Sequence, residues 1–413
     1  MGSSVLASAT TESGPAVSLF VIAACAVLAP LLARTSRGLV PATVVLIVLG
    51  VIVGPEVLGW AHADGLSMLR DLGMGFLFLL AGYEVDTTAL RGRQGRFAWL
   101  AWLLSFVAAT TIAMALLPGG FGTAAALGLA VTSTALGALV PILRDRGLLT
   151  SPLGRSVMVH GAVGELGPVI AMAVLFNSDS VSIGVSIASA VGILGVFTLV
   201  AIVAAVVPGR VLRRAPEVYH HIVGASSGTT QMGMRLVVLL LTGLMAVASA
   251  LQIDVVLGAF AAGLVLRRLV PEGDHGPEER IDAIAYSLFI PVFFVMSGMA
   301  LSISAVAEAP QIMLGALAGI LLLRGGGVFL IERFAPTGSG LDTREDTQVA
   351  LYAASGLPII VAVTELAVTN ELMTHAVAAN LVAAGSVSLL VFPYLAARLR
   401  ARTAAAQTAG SSG

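Results

Sequence analysis

In the run Val157-Met158-Val159-His160-Gly161-Ala162-Val163-Gly164-Glu165-Leu166-Gly167-Pro168-Val169 a single carboxylate, Glu165, stands among apolar residues and glycines with no local countercharge. A carboxylate removed from water lowers its desolvation cost in one of two ways: it takes up a proton, or it stays ionised and binds a cation. The two outcomes compete for one group. That competition is the chemistry of a proton-for-cation exchanger. Arg324 is placed similarly, in the middle of Gly319-Ile320-Leu321-Leu322-Leu323-Arg324-Gly325. A guanidinium at that depth costs several kcal/mol and marks a pathway or a charge partner. An ion pair between Glu165 and Arg324 is the plain structural alternative, and it is compatible with exchange if Arg324 holds the bundle together while Glu165 is empty.

Two apolar runs contain residues that interrupt helical winding, Ala130-Val131-Thr132-Ser133-Thr134-Ala135-Leu136-Gly137 and Ala354-Ser355-Gly356-Leu357-Pro358. Thr and Ser can simply bond back to a preceding carbonyl, and Gly and Pro can simply kink a helix. In a membrane, however, irregular backbone is tolerated only where it lines an enclosed or watery cavity. Other polar residues carry less. His160 precedes Glu165 by five positions, about 140° round a helix, and reads as a packing histidine with a proton relay as the alternative. Glu365 is either a vestibule or an interfacial charge, and Asn380 reads as an interhelical hydrogen-bonding residue. Glu84 and Asp86 close an apolar run, where solvated charges are ordinary, and His220-His221 read as solvated. There is no Walker loop, zinc-ligand spacing or nucleotide-binding glycine motif, so no cofactor and no nucleotide are expected.

The elements that must position these groups follow from composition. The chain has 413 residues, 57% hydrophobic, with 46 glycines and only 11% charged residues, too few charges to coat a water-exposed surface. It reads as an all-α integral membrane protein. A net charge of −1 argues against nucleic acid as a partner, and the lone Cys25 excludes an intramolecular disulfide. No basic residue precedes Arg34, so no cleaved signal peptide is expected.

Thirteen stretches suit a membrane-spanning helix, at about 16–33, 39–58, 68–84, 97–117, 123–143, 152–176, 181–207, 234–251, 255–265, 283–303, 311–331, 348–367 and 375–395. The ninth is short unless Arg267 and Arg268 snorkel. All 22 basic residues are Arg, and they cluster after odd-numbered stretches, with Arg70 at the opposite face and Arg324 within the eleventh. Cytoplasmic loops carry the excess of basic residues, so the N-terminus is expected outside and the C-terminus inside. A first six-helix repeat (16–176), a linking helix (181–207) and an oppositely oriented second repeat (234–395), with a short cytoplasmic tail at 396–413, pair the fifth stretch with the twelfth. Both are broken at the same depth. Paired interruptions in inverted repeats point to a transporter site built from half-helix ends.

At these residues the chain resembles the second monovalent cation–proton antiporter family of bacterial Na+/H+ and K+/H+ exchangers. The resemblance is carried by Phe78-Leu79-Leu80-Ala81-Gly82-Tyr83-Glu84-Val85-Asp86, Thr132-Ser133-Thr134-Ala135, Pro141-Ile142-Leu143-Arg144-Asp145-Arg146-Gly147, Leu257-Gly258-Ala259-Phe260-Ala261-Ala262-Gly263-Leu264 and Phe289-Ile290-Pro291-Val292-Phe293-Phe294-Val295-Met296-Ser297-Gly298-Met299. It implies two crossed discontinuous helices in a transport core (97–176 and 311–395) and a homodimerising scaffold (16–84 and 234–303). It places Glu165 at the essential helix-six carboxylate, Arg324 at a basic residue of helix eleven, and Thr132 and Ser133, with Thr134 and Ser355 nearby, in unwound backbone that offers oxygens to the ion. The family carboxylate is usually Asp, and the residue before it, often Asp, Asn or Gln, is here Gly164. The chain stops shortly after the thirteenth stretch, so the large cytosolic nucleotide-sensing domain of some potassium-linked relatives is expected to be absent.

The expectation is a transporter rather than an enzyme: electroneutral exchange of H+ for Na+ or K+ by alternating access in a bacterial inner membrane. Proton-driven efflux of an organic compound or an ionophore–cation complex on the same fold is the competing reading.

Overall fold

The computed structural model describes residues 14–35, 41–84, 87–175, 195, 232–251, 255–270 and 276–410, and among them every regular element is helical. In chain order these are α1 (Pro15–Thr35), α2 (Ala42–Val53), α3 (Ser67–Glu84), α4 (Thr87–Arg91), α5 (Arg93–Leu116), α6 (Phe121–Thr132), α7 (Leu136–Asp145), α8 (Pro152–Leu175), α9 (Met232–Ala250), α10 (Val255–Leu269), α11 (Gly276–Ile284), α12 (Ile290–Met299), α13 (Ile303–Glu308), α14 (Pro310–Gly319), α15 (Gly326–Phe334), α16 (Thr343–Ala353), α17 (Pro358–Thr369) and α18 (His375–Gly410). Wider π-helical turns join α11 to α12 over Ala285–Phe289 and α14 to α15 over Ile320–Gly325. Among the described residues seven helices are long and apolar enough to cross a membrane, or eight with the bent pair α16–α17 counted as one span. The chain is a multi-pass membrane protein. Apart from residue 195, the linking helix expected at 181–207 lies outside the described residues, as do Asp86 and His220-His221. Helix α18 runs on to Gly410, through most of the segment read as a tail.

The chain divides into two compact units. The first comprises Met1–Leu77 and Glu278–Ser304. Here α2 and α12 pack through glycines: a side chain at Gly50 would strike the backbone of Val295, and one at Gly298 the backbone of Ile47. Hydrocarbon provides no hydrophobic drive between helices, so close backbone approach through small residues supplies the packing. Phe76 stacks on Phe289 with ring centroids 4.8 Å apart.

The second unit, Phe78–Pro277 and Ala305–Gly413, contains every candidate site residue. Its packing again runs through glycines, with Gly82 against the Phe260 carbonyl and Gly263 against Leu79 and Tyr83. Arg267 folds back to donate to the Tyr83 carbonyl at 3.0 Å, which places one of the two arginines that end the short α10.

Candidate functional site

The first break is written into the end of α6. Thr132 Oγ1 donates to the Gly128 carbonyl at 2.7 Å and Ser133 Oγ to the Ala130 carbonyl at 2.9 Å, so both hydroxyls bond back into their own helix. Each oxygen keeps lone pairs for a further donor or a cation. Ser133 is extended and winding resumes at Leu136. The second break is bounded differently. Helix α16 starts in a capping box, with the Asp342 side chain accepting from the Arg344 and Glu345 amides while Glu345 accepts from the Asp342 amide. It ends at Ala353. After four intervening residues Pro358 opens α17, the helical position where its missing N–H costs nothing.

The two breaks meet. Ala135 N–H donates to the Ser355 carbonyl at 2.7 Å, and Thr134 Oγ1 donates to the Ala353 carbonyl at 2.6 Å. Thr134 N–H donates to the Gly164 carbonyl of α8 at 2.9 Å. Backbone groups freed by unwinding are thus satisfied across the crossing, as a membrane interior requires. The approach needs a glycine: a Cβ on Gly356 would collide with the carbonyl and hydroxyl of Ser133.

Arg324 lies on the π-helical turn between α14 and α15 and is fully buried. Its Nε and Nη2 each donate to Thr134 Oγ1 at 3.1 Å, and Nη2 also donates to the His160 carbonyl at 2.7 Å. One guanidinium therefore ties the α14–α15 span to the first break and to α8. Its Nη1 has no hydrogen-bond partner. A Cβ at Gly164 would meet both Arg324 Nη2 and Thr134 Oγ1, so this glycine is the space that the guanidinium occupies.

Glu165, the next residue, is 3% exposed, and its Oε2 is buried without a hydrogen-bond partner. It is not among the partners of Arg324. The ion pair weighed from the sequence is not formed. Glu84, which ends α3 and reads from sequence as an ordinary solvated charge, acts electrostatically on Glu165. His160 is not simply a packing residue either, because its Nε2 lies 2.9 Å from Glu332 Oε1 with both side chains fully buried.

Ser355 is buried at the second break, with its hydroxyl 3.3 Å from the Leu351 carbonyl. Asn380 donates to the Ala376 and Ala305 carbonyls at 2.9 and 3.2 Å, as an interhelical bonding residue would. Glu365 is half-buried on α17, beyond the crossing in the chain. The structure thus gathers Thr132, Ser133, Thr134, His160, Gly164, Arg324 and Ser355 around one crossing, with Glu165 beside it. Sequence reasoning missed Glu332 and Asp346. The usable signal was position: Glu332 follows Arg324 by eight residues, about two turns of one helix.

A family model for the transmembrane sodium/hydrogen exchanger matches residues 21–399. The chain belongs to this family. Among its relatives it is similar to the putative Na+/H+ antiporter YjbQ of Bacillus subtilis, 28% identical over 308 residues that cover 69% of this chain and 47% of YjbQ. It is also similar to the Na+/H+-K+ antiporter GerN of Bacillus cereus, 26% identical over 263 residues, 61% of this chain and 63% of GerN. The exchanger-family chain thus spans about half the length of YjbQ. Its fold is similar to that of the sodium proton antiporter MjNhaP1 of Methanocaldococcus jannaschii at pH 8, with a TM-score of 0.65 at 18% identity over 92% of this chain and 98% of that one.

Proposed function

We propose that this exchanger-family chain exchanges protons for a monovalent cation, Na+ or K+, by alternating access, one for one. The observation that carries the reading is Glu165: a carboxylate buried without a partner, beside two broken helices whose ends meet. An unpartnered carboxylate in a low-dielectric site is stabilised by a proton or by a cation, and each excludes the other. Thr132 and Ser133 retain lone pairs for a dehydrated cation, and Arg324 supplies a fixed positive charge, since a guanidinium does not give up its proton. The relatives whose names include Na+/H+ or Na+/H+-K+ antiport support this cargo class.

The same reading takes the chain as a homodimer of thirteen-helix protomers with the N-terminus outside, in a bacterial inner membrane. Helices in 97–176 and 311–395 form the moving core, and those in 16–84 and 234–303 form the scaffold. The test is dissipation of a pH gradient in proteoliposomes with Na+ or K+ supplied separately. Glu165→Gln should abolish cation-dependent dissipation, because the amide keeps the shape but can neither release a proton nor offer a full negative charge. Dissipation indifferent to every cation would instead favour organic efflux.

A further inference from the structure

The core holds a second group of buried titratable side chains that the exchange cycle leaves unused. His160 Nε2 of α8 lies 2.9 Å from Glu332 Oε1 of α15, and Glu332 Oε2 accepts from Thr337 Oγ1 at 3.0 Å. Asp346, in the first turn of α16, is 1% exposed, and both of its carboxylate oxygens are buried without a hydrogen-bond partner. Burial acts on this carboxyl first and the charge of Glu332 second. The three helices pack on one another in pairs: α8 on α16, and α15 on α16.

Two orphaned polar groups therefore face this junction. The His160 ring is fully buried, yet Nδ1 has no partner, so either a lone pair or an N–H is left unsatisfied whichever nitrogen carries the proton. The Asp346 carboxyl has no donor to stabilise it as an anion, and it stands beside a carboxylate whose own oxygens are both engaged. A buried carboxyl without donors, with a second negative charge acting on it, lowers its cost by holding a proton itself. The other charges acting on the group are Arg324, which bonds the His160 carbonyl, and Arg333, Asp342 and Glu345 around Asp346.

We propose that His160, Glu332 and Asp346 form a second proton-binding site in the core, distinct from Glu165, whose occupancy sets the pH dependence of exchange. The proton comes from water at the Arg333 end of α15. It resides on the Asp346 carboxyl or within the His160–Glu332 pair, and it returns to water by the same route, so it is not counted in the exchange. The link to transport is Arg324. It is bonded to the backbone of His160, and it packs against the glycine beside Glu165. A change of charge at the junction alters the field on the guanidinium that fixes the crossing.

The functional arm rests on the reading of Glu165 as carrier, whereas proton occupancy can be read without transport. Infrared difference spectra of the purified protein across a pH titration report the carbonyl band of a neutral, non-hydrogen-bonded carboxylic acid. A titrating band should survive in Glu165→Gln and be lost on adding Asp346→Asn. In vesicles, Asp346→Asn and Glu332→Gln should each move the pH of half-maximal exchange by about one unit, a tenfold change in proton concentration, with the apparent cation affinity at the optimum unchanged. His160→Gln is the second probe should either acid variant fold poorly. The proposal is overturned if no titrating band survives in Glu165→Gln, or if all the variants that fold keep the parent pH profile and lose only thermal stability. Persistence of transport in Glu165→Gln would sink the carrier reading and leave the infrared result standing on its own.

Discussion

Arg324 lies over the bare α-carbon of Gly164, with its Nη2 and the Thr134 hydroxyl filling the volume that any side chain there would need. The missing polar side chain before Glu165 is thus the condition for a buried guanidinium to reach both the first break and the backbone of α8.

Gly164→Ala should destabilise the protein by about 1–3 kcal/mol, because a methyl group in a filled site forces its neighbours aside. Arg324→Ala should also lower stability, leaving the His160 carbonyl without its charge-assisted donor. The two costs should not add, since removing the guanidinium makes room for the methyl group. A double-mutant cycle of thermal unfolding in detergent checks this, with a coupling of about 1 kcal/mol or more expected. Strict additivity would mean the two residues are not in contact.

Thr134 is the one hydroxyl of its run that reaches across the crossing, to Ala353, while accepting from Arg324. Thr134→Val keeps the shape and removes both roles, at an expected cost of about 1–3 kcal/mol and most of the transport rate. Thr134→Ser should restore both. Thermal melting and exchange rates measured side by side test this, and a Val variant as active as the parent would contradict it.

Competition between proton and cation at Glu165 predicts a pH dependence of affinity. On the acid side the apparent KM for the cation should rise by about tenfold per pH unit, because one proton must leave before one cation binds. On the alkaline side it should level off. A slope near two would reveal a second obligatory proton.

Among the described residues Glu165 is the carboxylate buried without a partner beside the crossing, Gly164 offers no proton, and Arg324 keeps its own, so the proposed cycle would move one positive charge in each direction. Exchange of Na+ for H+ should therefore be indifferent to an imposed potassium-diffusion potential in proteoliposomes. Potential-driven proton flux that disappears in His160→Ala would overturn the one-for-one count and make His160 a carrier.

Glu165, Arg324 and both breaks were legible in the sequence for one reason: a charge or a helix breaker inside a long apolar run has no cheap explanation in hydrocarbon. The family and the helical fold followed from such runs and from local motifs. Partnerships were not legible. Three consecutive hydroxyls, Thr132, Ser133 and Thr134, look alike in sequence, and only the meeting of the two breaks brings Thr134 to Ala353, the last residue of α16, while the other two bond back. Glu332 and Asp346 stand just outside the apolar runs, beside Arg333 and Arg344, where solvated charges are the rule. They are buried because α15 extends to Phe334, α16 begins at Thr343 and both helices pack against neighbours in the core. Burial by a neighbouring helix is a long-range event. Local pattern reports how far a segment is apolar, but which polar group at its edge ends up without water depends on helices distant along the chain.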